Sequence, residues 1–229
     1  ILNNTKVIPG RLFVTKSTGG KIELLFHKKL DKHNFQCIYR SSRALKVDME
    51  LFIDNKRYFT VKNIHENLIT LHSINDPIPL FKKYGQIPLP KYIKRKTNAD
   101  DIKRYQTTYA SINGSVAAPT AGLHFTKEIL NKLSRKGILI EYLTLHVTYN
   151  TFKPIKTNNY MKHDIGSEYC EIESTLINKI KNVKENNKKV YDVGTTTTRA
   201  LESYYTNSIK GNFKGEVDLY ITPGYKFKI

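Results

Sequence analysis

Apolar and polar positions alternate along the first third of the chain. Between residues 14 and 75, short runs such as 21–26 and 35–40 place an apolar side chain at every second position, which is the period of a half-buried β-strand. Turn-forming residues, for example at 18–20, separate these runs. Five or six short strands at this regular spacing predict a small β-barrel or a β-sandwich.

A helical period appears after residue 76, mixed with short apolar runs. Residues 126–136 carry Ile129, Leu130 and Leu133 on one face and end before Gly137, which predicts an amphipathic helix with a glycine C-cap. The same reasoning predicts further helices over 174–184 and 197–205, and strands over 138–147, 188–193 and 217–221. Helices and strands together predict an α+β fold.

The composition narrows the class of protein. With 229 residues and 39% hydrophobic content, the chain suits one large domain, or one domain with a smaller insertion. It has no run of 18 apolar residues and no pattern of a signal peptide. Cys37 and Cys170 stand alone, without metal-ligand spacing, and fit a reducing cytosol.

The net charge of +18, from 38 basic and 20 acidic residues, makes a polyanion such as RNA a candidate partner. The basic residues are nearly all Lys, however, and an AT-biased genome gives the same composition without selection for binding. The 15 Tyr residues could stack on unpaired bases or pack within sheets. Charge alone therefore leaves an RNA partner open.

Residues 115–126 are rich in small side chains and lead towards a helix that Thr126 can cap. Gly122 can adopt a positive φ at no steric cost, Pro119 interrupts regular structure, and His124 is the one titratable residue of the stretch. This combination suits a pocket for a planar or sugar-bearing ligand. The alternative is a buried strand-to-helix turn in which His124 is a hydrogen-bonded structural residue.

Residues 194–199 form a second candidate site, between a predicted strand and a predicted helix. Backbone N–H groups at a helix start favour anions, and Arg199 can hold a carboxylate or phosphate through two hydrogen bonds. The alternative is a series of capping Thr residues with Arg199 paired to a surface acid. The Gly-Lys pair of a Walker loop is missing from these residues.

Several blocks, in one order along the chain, resemble the S-adenosylmethionine:tRNA ribosyltransferase-isomerase family of queuosine biosynthesis. The most specific is Pro-Thr-Ala-Gly-Leu-His-Phe-Thr at 119–126. The others lie at residues 2–12, 84–90, 104–109, 144–147, 193–203 and 221–225. Together they cover nearly the whole chain, so a member of this family is expected.

The resemblance implies a fold and a reaction. The fold is a mixed-sheet, barrel-like α/β core, here residues 1–13 and 76–229, with a small all-β barrel inserted at 14–75. In the reaction, the ribosyl group of S-adenosylmethionine is transferred to 7-aminomethyl-7-deazaguanine at the wobble position of tRNA. Epoxyqueuosine-tRNA forms, and adenine and methionine leave. The implied protein is a cytoplasmic monomer that binds tRNA, uses no metal and does not enter a membrane.

The resemblance also implies roles for individual residues. His124 is the candidate general base, and Glu168 is a candidate acid or a group that orients the base. His146 and His163 are the other titratable candidates, although a lone His on a strand, as at 146, is more often structural. The remaining candidates would bind substrate: Asn3, Arg11, Pro119, Thr120, Gly122, Gly194, Thr195, Thr196 and Arg199.

Departures from the family pattern support a second hypothesis. Thr148 and Asn150 stand where the family has glycines, Gly166 stands where it has His, and Thr222 replaces an aromatic residue. The chain also begins inside the first family block and ends at Ile229, just after the last one, which indicates truncation at both ends. These features favour an impaired remnant that binds tRNA without turnover. A third possibility, a generic basic barrel that binds RNA, would account only for residues 14–75.

Overall fold

The computed structural model of the chain describes residues 1–90, 93, 95, 97–149, 157–163 and 165–229. It divides into two compact units, one of Val7–Lys103 and one of Ile1–Lys6 with Arg104–Ile229. Strands and helices occur in both, so the predicted α+β class is confirmed. We refer to the first unit as the barrel unit and to the second as the core unit.

The elements of the described residues have the following bounds. The strands are β1 (Leu2–Asn3), β2 (Thr5–Val7), β3 (Arg11–Lys16), β4 (Lys21–Lys29), β5 (Asn34–Ser41), β6 (Glu50–Ile53), β7 (Lys56–His65), β8 (Leu68–Ser73), β9 (Ile112–Ser115), β10 (Tyr142–Leu145), β11 (Glu168–Ile172) and β12 (Phe213–Val217). The α-helices are α1 (Pro77–Tyr84), α2 (Ala99–Arg104), α3 (Lys127–Arg135), α4 (Ser174–Glu185) and α5 (Thr195–Thr206). Two 3-10 helices span Thr120–His124 and Tyr160–Lys162.

The barrel unit contains a closed barrel of six antiparallel strands in the order β3-β4-β5-β8-β7-β6. Strand β3 also pairs with β6, which closes the barrel and leaves no edge strand open to another chain. The predicted alternation is realised, with every second residue buried along β8 and in the first half of β5. Of the two predicted architectures, barrel and sandwich, the structure shows the barrel.

Aromatic rings of the barrel strands pack against helix α1. Phe81 of α1 is fully buried, with its ring centroid 5.3 Å from that of Phe26 and 5.9 Å from that of Phe35. The helix starts where the Asp76 side chain accepts a hydrogen bond from the backbone N–H of Ile78 at 2.9 Å. Helix α1 therefore belongs to the barrel unit, which extends beyond the predicted bounds of 14–75 at both ends.

Gly85 follows α1 at a point where the backbone is crowded. A Cβ atom there would overlap the carbonyl oxygens of Pro9 and Phe81. The close approach lets Gln86 and Arg11 exchange two backbone hydrogen bonds of 2.7 and 3.0 Å. The block at 84–90, singled out in the sequence, thus ties the end of α1 to the start of the barrel.

The core unit is built on a four-stranded sheet in the order β1-β10-β11-β12. Strand β1 is parallel to β10, and the other two pairs are antiparallel, so the sheet is mixed as predicted. Strands β2 and β9 form a separate pair. Helix α4 buries Leu176, Ile177 and Ile180, and α5 buries most of its length. The predicted helices over 126–136, 174–184 and 197–205 are confirmed as α3, α4 and α5.

Three predicted strands differ from the structure. Only Tyr142–Leu145 is a strand within 138–147, and residues 188–193 form none. In that segment the backbone N–H of Val193 bonds to the carbonyl of Ile1, but no ladder follows. A strand was predicted over 217–221, but the last strand ends at Val217. It does not continue because the Arg199 side chain donates hydrogen bonds to the carbonyls of Val217 and Leu219.

We predict that Gly85→Ala destabilises the chain. The added methyl group meets backbone on two sides, so overpacking should lower the free energy of unfolding by about 2 kcal/mol or more. Urea denaturation of the full chain measures the change. Gly20→Ala is the matched control, because a Cβ there meets only the flexible side chain of Lys16 at 3.4 Å. Equal stability of the two variants would contradict the crowding at Gly85.

Candidate active site

Helix α5 opens the candidate site with an uncapped N-terminus. Its N-cap, Gly194, has φ +84° and no side chain with which to bond the first turn. The hydroxyls of Thr197 and Thr198 donate back to the carbonyls of Val193 and Gly194, at 2.9 and 3.2 Å. The N–H groups of Thr197 and Thr198 also bond to the Gly194 carbonyl, so those of Thr195 and Thr196 are the ones that this helix end offers to an anion.

The block at 115–126 folds as a buried stretch followed by a short 3-10 helix. The Ser115 hydroxyl donates to the Ala117 carbonyl at 2.7 Å and accepts from the Val147 N–H at 2.9 Å. Pro119 is buried, and Thr120–His124 then forms the 3-10 helix. Thr126 caps α3 through a 3.3 Å bond from the Ile129 N–H, as predicted.

Two of the family blocks pack together at Gly122. A Cβ atom on Gly122 would overlap the Tyr109 hydroxyl and come within 2.9 Å of the Thr107 side chain. Thr108 also donates its hydroxyl to the Phe125 carbonyl at 2.7 Å. Burial raises the pKa of Tyr109 to about 12, so this hydroxyl keeps its proton and is a hydrogen-bond donor at neutral pH.

The two candidate sites of the sequence lie next to each other. A Cβ atom on Gly194 would stand 3.0 Å from the Cβ of Ala121. The small residues of the 3-10 helix therefore lie directly against the N-terminus of α5. Thr120 and Thr195, one from each block, are exposed, so this junction has polar groups available to a ligand.

Asn3 connects the first strand to the same region. It is only 1% exposed, and its side-chain N–H group donates to the Leu145 carbonyl at 2.9 Å and to the Thr196 hydroxyl at 3.2 Å. Its carbonyl accepts from the N–H groups of Thr5 and Leu145. These four bonds tie β1, β10 and the first turn of α5 together, so Asn3 positions the helix end.

His146, directly after β10, is closely packed and largely buried. Its Nδ1 shares a 2.8 Å hydrogen bond with the Thr5 hydroxyl, and its ring stacks on Tyr169 at 5.9 Å. A Cβ atom on Gly114 would lie 2.5 Å from its Nε2, so only glycine leaves room for the ring. Burial lowers the pKa of His146 to about 4, although Glu171 opposes this shift, and the ring is neutral at pH 7.

Arg199 and Glu168 form a buried ion pair beneath the site. The Arg199 Nη1 lies 2.7 Å from the Glu168 Oε2, and the two residues are 9% and 2% exposed. Arg199 also donates to the carbonyls of Leu219, Gly166 and Val217, each at 2.9 Å. Glu168 accepts in addition from the Thr148 N–H at 2.8 Å. The pair thus holds α5, β11 and β12 to the residues that follow β10.

The other predicted residues are more scattered. His124 is exposed at the end of its 3-10 helix. His163 lies 6.2 Å from the Tyr220 ring. Arg11 belongs to the barrel unit, where its Nε is 3.0 Å from Glu23. The predicted departure at Asn150 lies outside the described residues.

Sequence reasoning missed the packing around His146 and Tyr109. Part of the signal was present, because the sequence has glycines at 114 and 122. In the fold these glycines lie against His146 and Tyr109. Which ring fills the space beside each glycine depends on strand pairing and could not be read from spacing.

Metal and membrane sites are not apparent in the parts of the chain that the structure describes. There, no group of three or more His, Cys, Asp or Glu side chains is arranged to hold a metal ion. Nor does any described helix combine the length and apolar character needed to cross a membrane. Cys37 and Cys170 are both buried and free of disulfide bonds.

Comparison with known proteins identifies the family. The model for queuosine biosynthesis proteins matches residues 1–229. The S-adenosylmethionine:tRNA ribosyltransferase-isomerase of Vesicomyosocius okutanii is 42% identical over 230 residues, which is 100% of this chain and 68% of that protein. The proteins of the same name from Thermodesulfovibrio yellowstonii and Buchnera aphidicola are 43% and 44% identical, with 69% and 66% of their lengths covered.

The solved structure of an S-adenosylmethionine tRNA ribosyltransferase from Thermotoga maritima is also similar. It is 25% identical, with a TM-score of 0.40, and the match covers 99% of this chain and 62% of that one. The chain spans about two thirds of the length of the relatives it matches.

Fold and site together define an α+β protein in which a turn of small residues packs against an uncapped helix N-terminus. The chain belongs to the family of queuosine biosynthesis proteins.

We predict that His146 makes the chain acid-sensitive. Its folded pKa of about 4 lies below the ordinary value of 6.5, so the unfolded state binds the proton more readily. Stability is then complete above about pH 6.5 and falls as the pH drops towards 4, by at most about 3 kcal/mol. Urea denaturation across this range measures the slope. His146→Gln should flatten it, whereas His65→Gln, an exposed control on the barrel, should leave it unchanged.

We also predict strong coupling between Arg199 and Glu168. Arg199→Met alone leaves a buried carboxylate without its cation, which should cost about 3–5 kcal/mol of stability. The double variant Arg199→Met, Glu168→Gln removes both charges and should recover part of that loss. A double-mutant cycle by urea denaturation gives the coupling energy. If the stability changes of the two single variants add up to that of the double variant, the interaction between Arg199 and Glu168 contributes nothing to stability.

Proposed function

We propose that this chain is an S-adenosylmethionine-dependent tRNA ribosyltransferase-isomerase that acts in queuosine biosynthesis. It transfers and isomerises the ribosyl group of S-adenosylmethionine onto 7-aminomethyl-7-deazaguanine at the wobble position of tRNA, with release of adenine and methionine. The observation that carries the proposal is the contact between Ala121 and Gly194. It joins the two most distinctive family blocks into one site. The proposed protein is a cytoplasmic monomer.

The junction supplies groups that suit the chemistry. The sulfonium of S-adenosylmethionine acidifies the neighbouring ribose C5′ hydrogens, so a base can remove one of them. His124 is exposed beside the junction and is the proposed base. The N-terminus of α5 suits the methionine carboxylate, and the hydroxyls of Thr120 and Thr195 suit the ribose.

Arg199 and Glu168 take a different part in this proposal. Four N–H groups of Arg199 already bond within the protein, one of them to Glu168. A methionine carboxylate would have to displace a buried carboxylate to reach the guanidinium, which is costly. We therefore assign both residues to positioning of the site, together with Asn3.

The departures at 148 and 166 do not favour an inactive remnant. Thr148 is held by the bond from its N–H to Glu168 and needs no left-handed backbone. Gly166 adopts φ +70° and offers its carbonyl to Arg199. The match to the relatives also runs across the whole chain at 42–44% identity, which favours an enzyme.

We predict adenine release from S-adenosylmethionine that depends on tRNA carrying the aminomethyl-deazaguanine base. In single turnover, His124→Ala should slow release by about 10²–10⁴-fold, because a general base is lost. His65→Ala, on an exposed barrel strand, is the control and should keep the rate. Chromatography of adenine against time gives both rates. If the folded wild-type chain releases no adenine, the proposed activity is wrong. If His124→Ala releases adenine at the wild-type rate, another residue is the base.

A further inference from the structure

Two partly exposed tyrosines of the barrel unit form an aromatic pair. Tyr58 of β7 and Tyr84 of α1 have ring centroids 5.9 Å apart, with their planes inclined by 58°. Their hydroxyls share a 3.3 Å hydrogen bond. Both rings are partly exposed, so part of each remains accessible to a ligand.

The barrel core does not need these rings. Phe59 and Phe81, which neighbour the pair in β7 and α1, are the residues that point inward and are fully buried. Strand alternation therefore places Tyr58 on the outer surface, where the last turn of α1 brings Tyr84 beside it. The partial exposure of Tyr58 and Tyr84 thus follows from their positions in β7 and α1, and it leaves their rings able to contact a ligand.

A lysine accompanies each ring. The Lys56 Nζ lies 5.8 Å from the centroid of Tyr58, and the Lys83 Nζ lies 4.9 Å from that of Tyr84. Both lysines are exposed. We call these four residues, Lys56, Tyr58, Lys83 and Tyr84, the tyrosine–lysine platform.

The charge around the platform is positive on balance. The barrel unit, residues 7–103, holds 19 Lys and Arg against nine Asp and Glu. Asp54 is the acid whose charge acts on both tyrosines, and Lys56 and Lys83 outnumber it. A negatively charged ligand with flat apolar faces suits this combination.

We propose that the tyrosine–lysine platform binds unpaired nucleotides of the tRNA loop that carries the wobble base. Bases stack on the two rings, which accept any base because every base has a π-face, and the ammonium groups contact the neighbouring phosphates. This inference rests on the proposed function only for the identity of the RNA as tRNA. It assigns the barrel unit a role in substrate recognition.

The test is the affinity of the full chain for a fluorescein-labelled anticodon stem-loop, measured by fluorescence anisotropy. Tyr58→Leu, Tyr84→Leu should raise the Kd by about tenfold or more, because two stacking faces are lost. Tyr58→Phe, Tyr84→Phe keeps both rings and should bind as wild type does. Phe13→Leu, at an exposed ring of β3, controls for loss of any surface aromatic residue.

The lysines are tested by the dependence of Kd on salt. Lys56→Ala, Lys83→Ala should reduce the slope of log K against log salt by about 1.4, since two contacts to phosphates of unpaired nucleotides are lost at about 0.7 each. A blunt duplex of the same stem should show no difference between wild type and the Leu variant. Thermal unfolding of each variant checks that the fold is intact.

The outcomes separate this inference from the proposed function. Leu variants that bind the loop as wild type does, or wild-type chain that binds no stem-loop, overturn the platform. Adenine release measured in parallel reports on the enzyme. If the wild-type chain releases adenine and the Leu variants bind the loop with an unchanged Kd, the enzyme is supported and the platform is wrong. If the Leu variants bind the loop more weakly but the wild-type chain releases no adenine, the platform is supported and the proposed activity is wrong.

Discussion

The core unit depends on the ion pair between Arg199 and Glu168. Both groups are withdrawn from water, and a buried charge is costly unless it is paired and its remaining bonds are satisfied. Here Arg199 makes four bonds and Glu168 accepts from Thr148 as well. The pair therefore fixes where β11 and β12 lie against α5, and with them the backbone at the end of β10.

Helix α5 carries that constraint to the candidate site. Arg199 lies one turn beyond Gly194 and Thr196, which contact Ala121 and Asn3. A rigid helix anchored by a buried ion pair at one turn holds its N-terminus in place at the other. Gly194 then permits the close approach to Ala121, and Gly122 leaves room for the side chains of Tyr109 and Thr107. The site is thus preorganised by groups that need not touch the substrate.

The pattern of the sequence left a barrel and a sandwich open, because closure depends on the pairing of β3 with β6. Each strand of the barrel could be predicted, because alternation and turn residues are local signals. Helix ends were predictable for the same reason, since Thr126 and Gly137 are local signals. The strand predicted at 188–193 was wrong because its apolar residues find no partner ladder, and such pairing depends on residues far away in the chain.

For the candidate site, too, local features could be predicted and contacts between distant residues could not. The two family blocks were recognisable in the sequence, and so were His124 and Arg199. The partners were not, because the ion pair links positions 31 residues apart and His146 meets Thr5 across 141 residues. The sequence predicted at 199 either a cation that binds a ligand or one paired to a surface acid. The surface acid was wrong, because the partner is Glu168, which is buried with Arg199.

A structure of the chain with S-adenosylmethionine bound tests this account most directly. The account predicts that the Arg199 Nη1 stays bonded to the Glu168 Oε2 as in the present structure, at 2.7 Å, while the methionine carboxylate lies at the first turn of α5. A guanidinium released from Glu168 and bound to the methionine carboxylate would contradict it, because Arg199 would then bind substrate directly.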